Sequence, residues 1–400
     1  MKRLIRFFAK LLFLPFWHLQ RLILRDKHTF VFGSWHGTNY SDNSKALFEY
    51  ILENKPEFKV YWITHNRKIY QRLKKEGKPV LMAYSIKGWL ISLRASVAFT
   101  SSSEPDINEF ALNGAKQIRL WHGMPLKKIR ADYKESIYYS SKEHPIKKIK
   151  LLKIKIINPY NNFEKIIAAT IASSDFFRPF LQSAFLLKEK ENVWLTGLPR
   201  TDHFYAQKKE KIINDLREKY ADSRIVLFMP TWRYFSRKTP YNPFAIPSFN
   251  KELFMDFLNK ENIVFLYKPH FYDQNIILSS SDRFMALNND SYNELYVLVS
   301  NIDVLITDYS SIYFDFLCLQ KPAILAPFDY ESYISESREL YFDYNILPSI
   351  KAYNWDELMR IIAEKKYYTL SHEEAEKYGK YNDGHASERC LQKTIELLGI

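Results

Sequence analysis

The sequence predicts an α/β protein of two Rossmann-like halves facing across a cleft, each a parallel sheet with helices on both faces. Three observations predict it. Short apolar runs of strand length alternate with helical patterns along the chain. The alternation breaks near residues 200–222 and restarts at "RIVLFMPTWR" (224–233). Polar and charged side chains beside Gly or Pro recur just after the strands, where open parallel sheets bind ligands. The length, 400 residues, fits two domains at roughly 100–200 residues each. An apolar content of 46% fills packed cores, and no repeat or low-complexity segment interrupts them.

The first 28 residues stand apart. "MKRLIRFFAKLLFLPFWHLQRLILRDKHTF" sets seven basic residues against the single Asp26. Lys10, Pro15, His18, Gln20 and Arg21 interrupt the apolar run, which is too broken for the about 20 apolar residues of a spanning helix. No small-residue cleavage site follows. Phe7, Phe8, Trp17 and several Leu supply an apolar face, so residues 1–28 suit an amphipathic helix lying on an anionic membrane surface. The plainer alternative is a first helix packed on the domain.

In the first half, 29–205, "TFVFGSW" (29–35) reads as a strand ending in a turn, and "SDNSKALFEYILE" (41–53) as a capped helix. Strands follow at "FKVYWIT" (58–64), "SVAFTSS" (96–102) and "QIRLWHG" (117–123), with a helix at "YSIKGWLISLRA" (84–95). The Lys-rich stretch 130–170 has no strand pattern and reads as helices over the cleft. In the second half, 206–400, strands at 224–233, "NIVFLYKPH" (262–270), "DVLIT" and "PAILAP" alternate with helices at "KELFMDFLNK", "YNELYVLVS" and "SIYFDFLCL". The last helix is in a position to return to the first half.

The net charge of +13 points to an anionic partner or simply to solubility. No aromatic-and-basic nucleic-acid module is present, so nucleic acid is excluded as a partner. Cys318 and Cys390 form no disulfide framework or zinc spacing, which fits a cytosolic chain without a structural metal. No P-loop, no G-x-G-x-x-G and no G-x-S-x-G occurs.

Five strand ends carry the candidate chemistry: Trp35-His36-Gly37, Trp121-His122-Gly123, Met229 to Arg233, Lys268-Pro269-His270, and Thr307 to Ser311. Asp308, Ser310 and Ser311 stand where a helix begins. Capping explains one such residue; two hydroxyls beside free N–H groups also make a phosphate cradle. Lys268, His270 and Arg233 have the charge to neutralise a diphosphate, although each alone reads equally well as surface charge. His122 is the candidate general base. It is favoured over His36 because Lys127, Lys128 and Arg130 follow it, ready for an anionic acceptor. A hydrogen-bonded structural histidine is the alternative.

"LWHGMPLKKI", "TGLPRTDHF", "FMPTWR", "YKPH", "ITDYSSIYFDFLCLQKPAILAPFDYESY" and "YNDGHASER", in this order, resemble the CDP-glycerol glycerophosphotransferase family of teichoic-acid and capsule polymer enzymes. "GSWHGTNYSDNSKALFEYI" is similar to its N-terminal signature, and the resemblance spans roughly residues 29–392. It implies a GT-B fold and transfer of glycerol phosphate, or ribitol phosphate, from a CDP-alditol to an acceptor hydroxyl with release of CMP. The acceptor is lipid-linked or a polyol phosphate, at the cytoplasmic face of the membrane. By the resemblance His122 takes the proton of the attacking hydroxyl and His270 contacts the donor diphosphate. Arg233 contacts phosphate, and Asp308, Ser310 and Ser311 hold the diphosphate. No cofactor is required for such positioning and charge stabilisation, and Mg²⁺ dependence is left open. The family's Gly-Pro pair is replaced here by Pro348-Ser349 within "NILPSIKAYNWDEL". A CDP-ribitol or mixed capsule polymerase is the nearest alternative. A sugar-transferring GT-B enzyme and a non-catalytic anion-binding scaffold are more distant ones.

Overall fold

The computed structural model describes residues 12–143, 145–157, 167–233, 241–269, 281–288, 290–336, 339–367 and 370–400. Among them, twelve strands form two sheets, and every strand pairing within the sheets is parallel. The chain divides into two units. The first holds Met1–His122, Ile129–Asp202 and Tyr381–Ile400; the second holds Gly123–Lys128 and His203–Lys380.

The sheet of the first unit comprises β1 (Asp26–Gly33), β2 (Lys59–Thr64), β3 (Val80–Met82), β4 (Ala95–Thr100), β5 (Lys116–Arg119), β6 (Ile167–Ala172) and β7 (Val193–Leu195), in the order β3-β2-β1-β4-β5-β6-β7. Strand order therefore reverses between β1 and β4, the topological switch point at which such sheets bind ligands. β4 is buried at every position, as expected of a parallel strand covered on both faces. Phe30 pairs with Val60 on one side and Val97 on the other.

Strands end earlier than the segments read for them. The segments at 224–233 and 262–270 stop as strands at Met229 and Tyr267, ahead of Pro230 and Pro269. Three strands of the first unit stop early as well. Trp35 and His36 have φ of 46° and 55°, and Trp121 has φ of 52°. Left-handed backbone is incompatible with a strand, so β1 stops at Gly33 and β5 at Arg119, before "LWHG". β4 stops at Thr100, because Ser101–Ser103 fold around the Asp106 carboxylate. The stretch 130–170 holds helices Ile137–Glu143 and Pro145–Ile157, but it also ends in β6, whose short, Ala-rich "IAATIA" gives little periodicity to read. β3 and β7 were too short to be read for the same reason, as was the strand Phe284–Ala286 of the second unit.

The last helix, Ala386–Leu398, belongs to the first unit and packs on the helix Asp42–Asn54. Asp202 caps it, accepting the Ala386 and Ser387 N–H groups at 2.9 and 2.8 Å. At the other end of the chain, residues 12–19 are helical; residues 1–11 of the expected amphipathic segment lie outside the described residues. Trp17 and Gln20 are buried, and the Asn113 amide donates to the Trp17 carbonyl at 2.6 Å, so this helix is tied to the domain.

The second sheet comprises β8 (Arg224–Met229), β9 (Ile263–Tyr267), β10 (Phe284–Ala286), β11 (Val304–Thr307) and β12 (Ala323–Leu325), in the order β10-β9-β8-β11-β12. Its switch point lies between β8 and β11. Trp355 anchors the core beneath, packed among Phe228, Phe244, Phe254 and Phe265, with its indole N–H donating to the Pro243 carbonyl at 2.7 Å.

Candidate active site

Chemistry collects at both switch points. In the first unit, His122 follows β5, and its half-buried ring lies beside the rings of Trp121 and Trp35, at centroid distances of 4.0 and 4.9 Å. Its Nδ1 lies 3.1 Å from the Ser101 carbonyl oxygen. A carbonyl only accepts, so Nδ1 carries the hydrogen and Nε2 keeps its lone pair. Burial lowers the pKa of His122; Arg200 and Arg130 act the same way, whereas Asp42 and the Ser101 carbonyl oppose them. The arrangement describes a neutral imidazole ready to accept a proton at Nε2.

The surrounding loops are held from several sides. The Asn43 amide donates to the Leu120 and Trp121 carbonyls, at 3.1 and 3.0 Å, and so grips the backbone entering His122. Asp42 accepts from the Trp35 indole at 3.2 Å and from Arg200 at 2.5 Å. Arg130 stands 5.2 Å over the Trp121 ring and donates to the Ser102 carbonyl. Trp35, His36, Asp42, Trp121 and Arg130 all have positive φ and together make up half of the non-glycine residues so placed among the described residues. Strain of this kind persists where the surroundings over-determine it, typically at functional loops. His36 is exposed; its N–H donates to Asp106 and its Nδ1 lies 3.4 Å from the Ser103 hydroxyl.

In the second unit, Arg233 and Asp308 meet at the β8–β11 switch point. The Arg233 guanidinium is 1% exposed. It binds Asp329 through Nε at 2.6 Å and Nη2 at 2.8 Å, Asp308 through Nη2 at 2.7 Å, and the Thr231 carbonyl through Nη1 at 2.6 Å. Tyr241, Tyr333 and Tyr309 surround it at 4.0, 4.9 and 5.1 Å. Burial acts to lower its pKa, but Asp308 and Asp329 outweigh burial and raise it. Asp308 also accepts the N–H groups of Thr231 and Tyr309. These two residues thus organise the loops after β8 and β11, with their polar atoms turned to each other. The Thr307 hydroxyl is occupied by the Met229 carbonyl at 2.6 Å. Ser310 and Ser311 are half-buried, and the Ser311 hydroxyl does not cap the helix Ile312–Leu317 that it precedes.

Lys268, after β9, is largely enclosed, 5.9 Å from the Tyr292 ring centroid, and burial pushes its pKa down to about 8. His270 lies outside the described residues. Lys127 and Lys128 group with the second unit: Lys128 pairs with Glu339 at 2.8 Å, and Lys127 stands 5.7 Å over Tyr333. Of the basic residues expected beside His122, Arg130 acts on that ring through its charge. Asp42, Asp106, Arg200 and Asp329 went unread in the sequence. The signal for two of them was present: "TSSSEPD" and "PFDY" also follow strands.

Two all-parallel sheets, each with polar chemistry at its switch point, define a GT-B-like α/β protein. The fold is similar to that of the wall teichoic acid polymerase TagF, with a TM-score of 0.70 at 21% identity over 94% of this chain and 90% of that one. Residues 15–396 match the family described as CDP-glycerol:poly(glycerophosphate) glycerophosphotransferase, and the chain belongs to that family.

Relatives include a teichoic acid poly(glycerol phosphate) polymerase of Bacillus subtilis (strain 168), 28% identical over 80% of this chain and 41% of that protein. A teichoic acid poly(ribitol-phosphate) polymerase of Bacillus spizizenii (strain ATCC 23059 / NRRL B-14472 / W23) is 32% identical over 60% of this chain and 39% of that protein. A teichoic acid glycerol-phosphate transferase of Staphylococcus aureus (strain NCTC 8325 / PS 47) is 26% identical over 92% and 93%. The chain therefore spans about two-fifths of the first two and nearly all of the third.

Proposed function

We propose that this protein transfers glycerol phosphate from CDP-glycerol to a hydroxyl of a lipid-linked or polymeric teichoic-acid-type acceptor, releasing CMP. The observation that carries the reading is His122, whose Nδ1–H is committed to the Ser101 carbonyl and whose Nε2 is left as a base. In the reaction, Nε2 takes the proton of the acceptor hydroxyl as its oxygen bonds to the β-phosphorus. The bond from that phosphorus to the bridging oxygen breaks, and the electron pair leaves with CMP. Lys268 and the Ser310 and Ser311 hydroxyls offer charge and hydrogen bonds to the diphosphate. Arg233 serves indirectly, by fixing Asp308 and the loop that carries the serines. Family membership supports the donor class, and the ribitol-phosphate relative keeps CDP-ribitol as the second donor to offer.

The setting is the membrane surface. No helix of the described residues is long and apolar enough to cross a membrane. Helix 12–19 nevertheless exposes Leu12, Phe13, Phe16 and Leu19. Phe13 packs on Trp89 at 5.8 Å, in the helix Ile86–Arg94, which itself exposes Ile86 and Leu90. Two neighbouring helices presenting apolar side chains in a basic protein suit the interface of an anionic leaflet.

The test is CMP release from CDP-glycerol and CDP-ribitol in parallel, with a short polyol-phosphate or lipid-linked acceptor. Acceptor-dependent CMP that falls roughly 10²–10⁴-fold in His122→Ala supports the reading. CMP from CDP-ribitol alone changes the donor. Full activity in His122→Ala overturns the base assignment.

A further inference from the structure

The carboxylate of Asp106 is fully buried between the loops after β1 and β4. Its Oδ1 accepts the His36 N–H at 2.7 Å, and its Oδ2 accepts the Ser102 and Ser103 N–H groups at 2.7 and 3.3 Å. The Ser102 hydroxyl donates to Oδ1, and the Ser101 hydroxyl reaches Oδ2 at 3.5 Å. One acid thus gathers donors from both sides of the switch point.

Its effect is to turn the carbonyls of the same loop outward. The Ser101 carbonyl meets His122 Nδ1, and the Ser102 carbonyl meets Arg130. The loop's seat is tight: a Cβ on Gly33 would clash with the Asp106 carbonyl and approach Ile107 Cγ1 to 2.8 Å. The end of β1 therefore admits only glycine without a shift of this loop.

We propose that Asp106 is a positioning residue for His122: it fixes the Ser101–Ser103 loop so that the Ser101 carbonyl holds the imidazole hydrogen on Nδ1 and leaves Nε2 to the acceptor hydroxyl. The inference rests on the transfer reaction proposed above. Asparagine cannot replace the acid. Each carboxylate oxygen faces a backbone N–H, so either orientation of an amide sets a donor against a donor.

Two measurements on the full chain at pH 8 test it. The first is the His122 tautomer, read from long-range ¹H–¹⁵N correlations and assigned by loss of the signals in His122→Ala. The wild type shows hydrogen on Nδ1, and Asp106→Asn shows a mixture of both tautomers. The second is CMP release. Asp106→Asn lowers kcat about tenfold or more, a share of the roughly 10²–10⁴-fold that a positioned base contributes. It leaves the donor KM within about twofold, because the residues proposed for the donor belong to the second unit. In the His122→Ala background the same change costs little further, since both act through one base.

An unchanged tautomer in Asp106→Asn overturns the proposal. So does an equal loss of kcat in both backgrounds, which marks a general structural defect. Should Asp106→Asn fail to melt cooperatively, Ser102→Ala removes one donor and keeps the acid. It shifts the tautomer in the same direction by a smaller amount, and no shift there overturns the proposal. If the wild type releases no CMP while the tautomer still depends on Asp106, the transfer reading fails and the positioning of the ring stands.

Discussion

Arg233 shows how one residue's role is set by its neighbours. Its sequence setting, "PTWR" after a strand, fits a phosphate ligand, but the fold gives its guanidinium two carboxylates and three tyrosine rings. Removing one member of a buried charge set strands the others. Arg233→Ala should cost about 3–5 kcal/mol in urea unfolding, and Arg233→Lys should recover only part, lacking the two-pronged geometry. Lys268 behaves differently. Burial lowers its pKa from the usual 10.5 to about 8, so it is charged below pH 8 and neutral above. If its ammonium holds the donor diphosphate, donor KM is flat below pH 8. It then rises by up to about tenfold per pH unit above it. Lys268→Arg, charged throughout, should abolish that inflection; an inflection that survives removes Lys268 from the donor site. That His122, Lys268 and Asp308 follow strands was legible, because an apolar run ends just before each. The partners of Arg233 were not, because Asp308 and Asp329 lie 75 and 96 residues away from it in sequence.

At the scale of elements, the last helix carries the clearest test. Ala386–Leu398 buries Cys390, Leu391 and Thr394 in the first unit, and Asp202 caps its start from 184 residues away. Its removal exposes the face of Asp42–Asn54 that it covers. Truncation after Gly384 should therefore abolish cooperative unfolding of the first unit and, with it, the CMP release proposed for the protein. Asp202→Ala, which removes only the cap, should cost about 0.5–2 kcal/mol by thermal or urea unfolding. Long periodic segments such as "KELFMDFLNK" were readable, and that helix spans Lys251–Lys260 as written. Strand ends were less so. Trp121 leaves the sheet in a left-handed conformation that no propensity would assign to tryptophan. It does so because Asn43 holds the carbonyls on either side of the turn.

At the scale of the molecule, charge and exposed apolar surface act together. On the membrane setting proposed above, the net charge of +13 should draw the chain toward anionic vesicles, with the exposed Leu12, Ile86 and Leu90 supplying the apolar contact. Co-sedimentation with anionic vesicles should weaken as salt rises from 0.05 to about 0.5 M, because the Debye length shortens below about 10 Å. It should weaken further in Leu12→Ser/Ile86→Ser. These substitutions test the surface more cleanly than deleting the N-terminus, which would also remove the buried Trp17 and Gln20. Binding unaffected by both salt and substitution would refute this surface. The sequence by itself determined the two-sheet α/β class, the order of most elements and the strand ends where chemistry collects. Those follow from hydrophobic period and local backbone preference, which neighbouring residues express without help. Only the tertiary structure decided that His122 presents Nε2, that Arg233 is clasped by Asp308 and Asp329, and that Asp106 ties two loops together. A hydrogen bond between distant loops exists only once parallel strands bring their ends side by side, and no local pattern records that meeting.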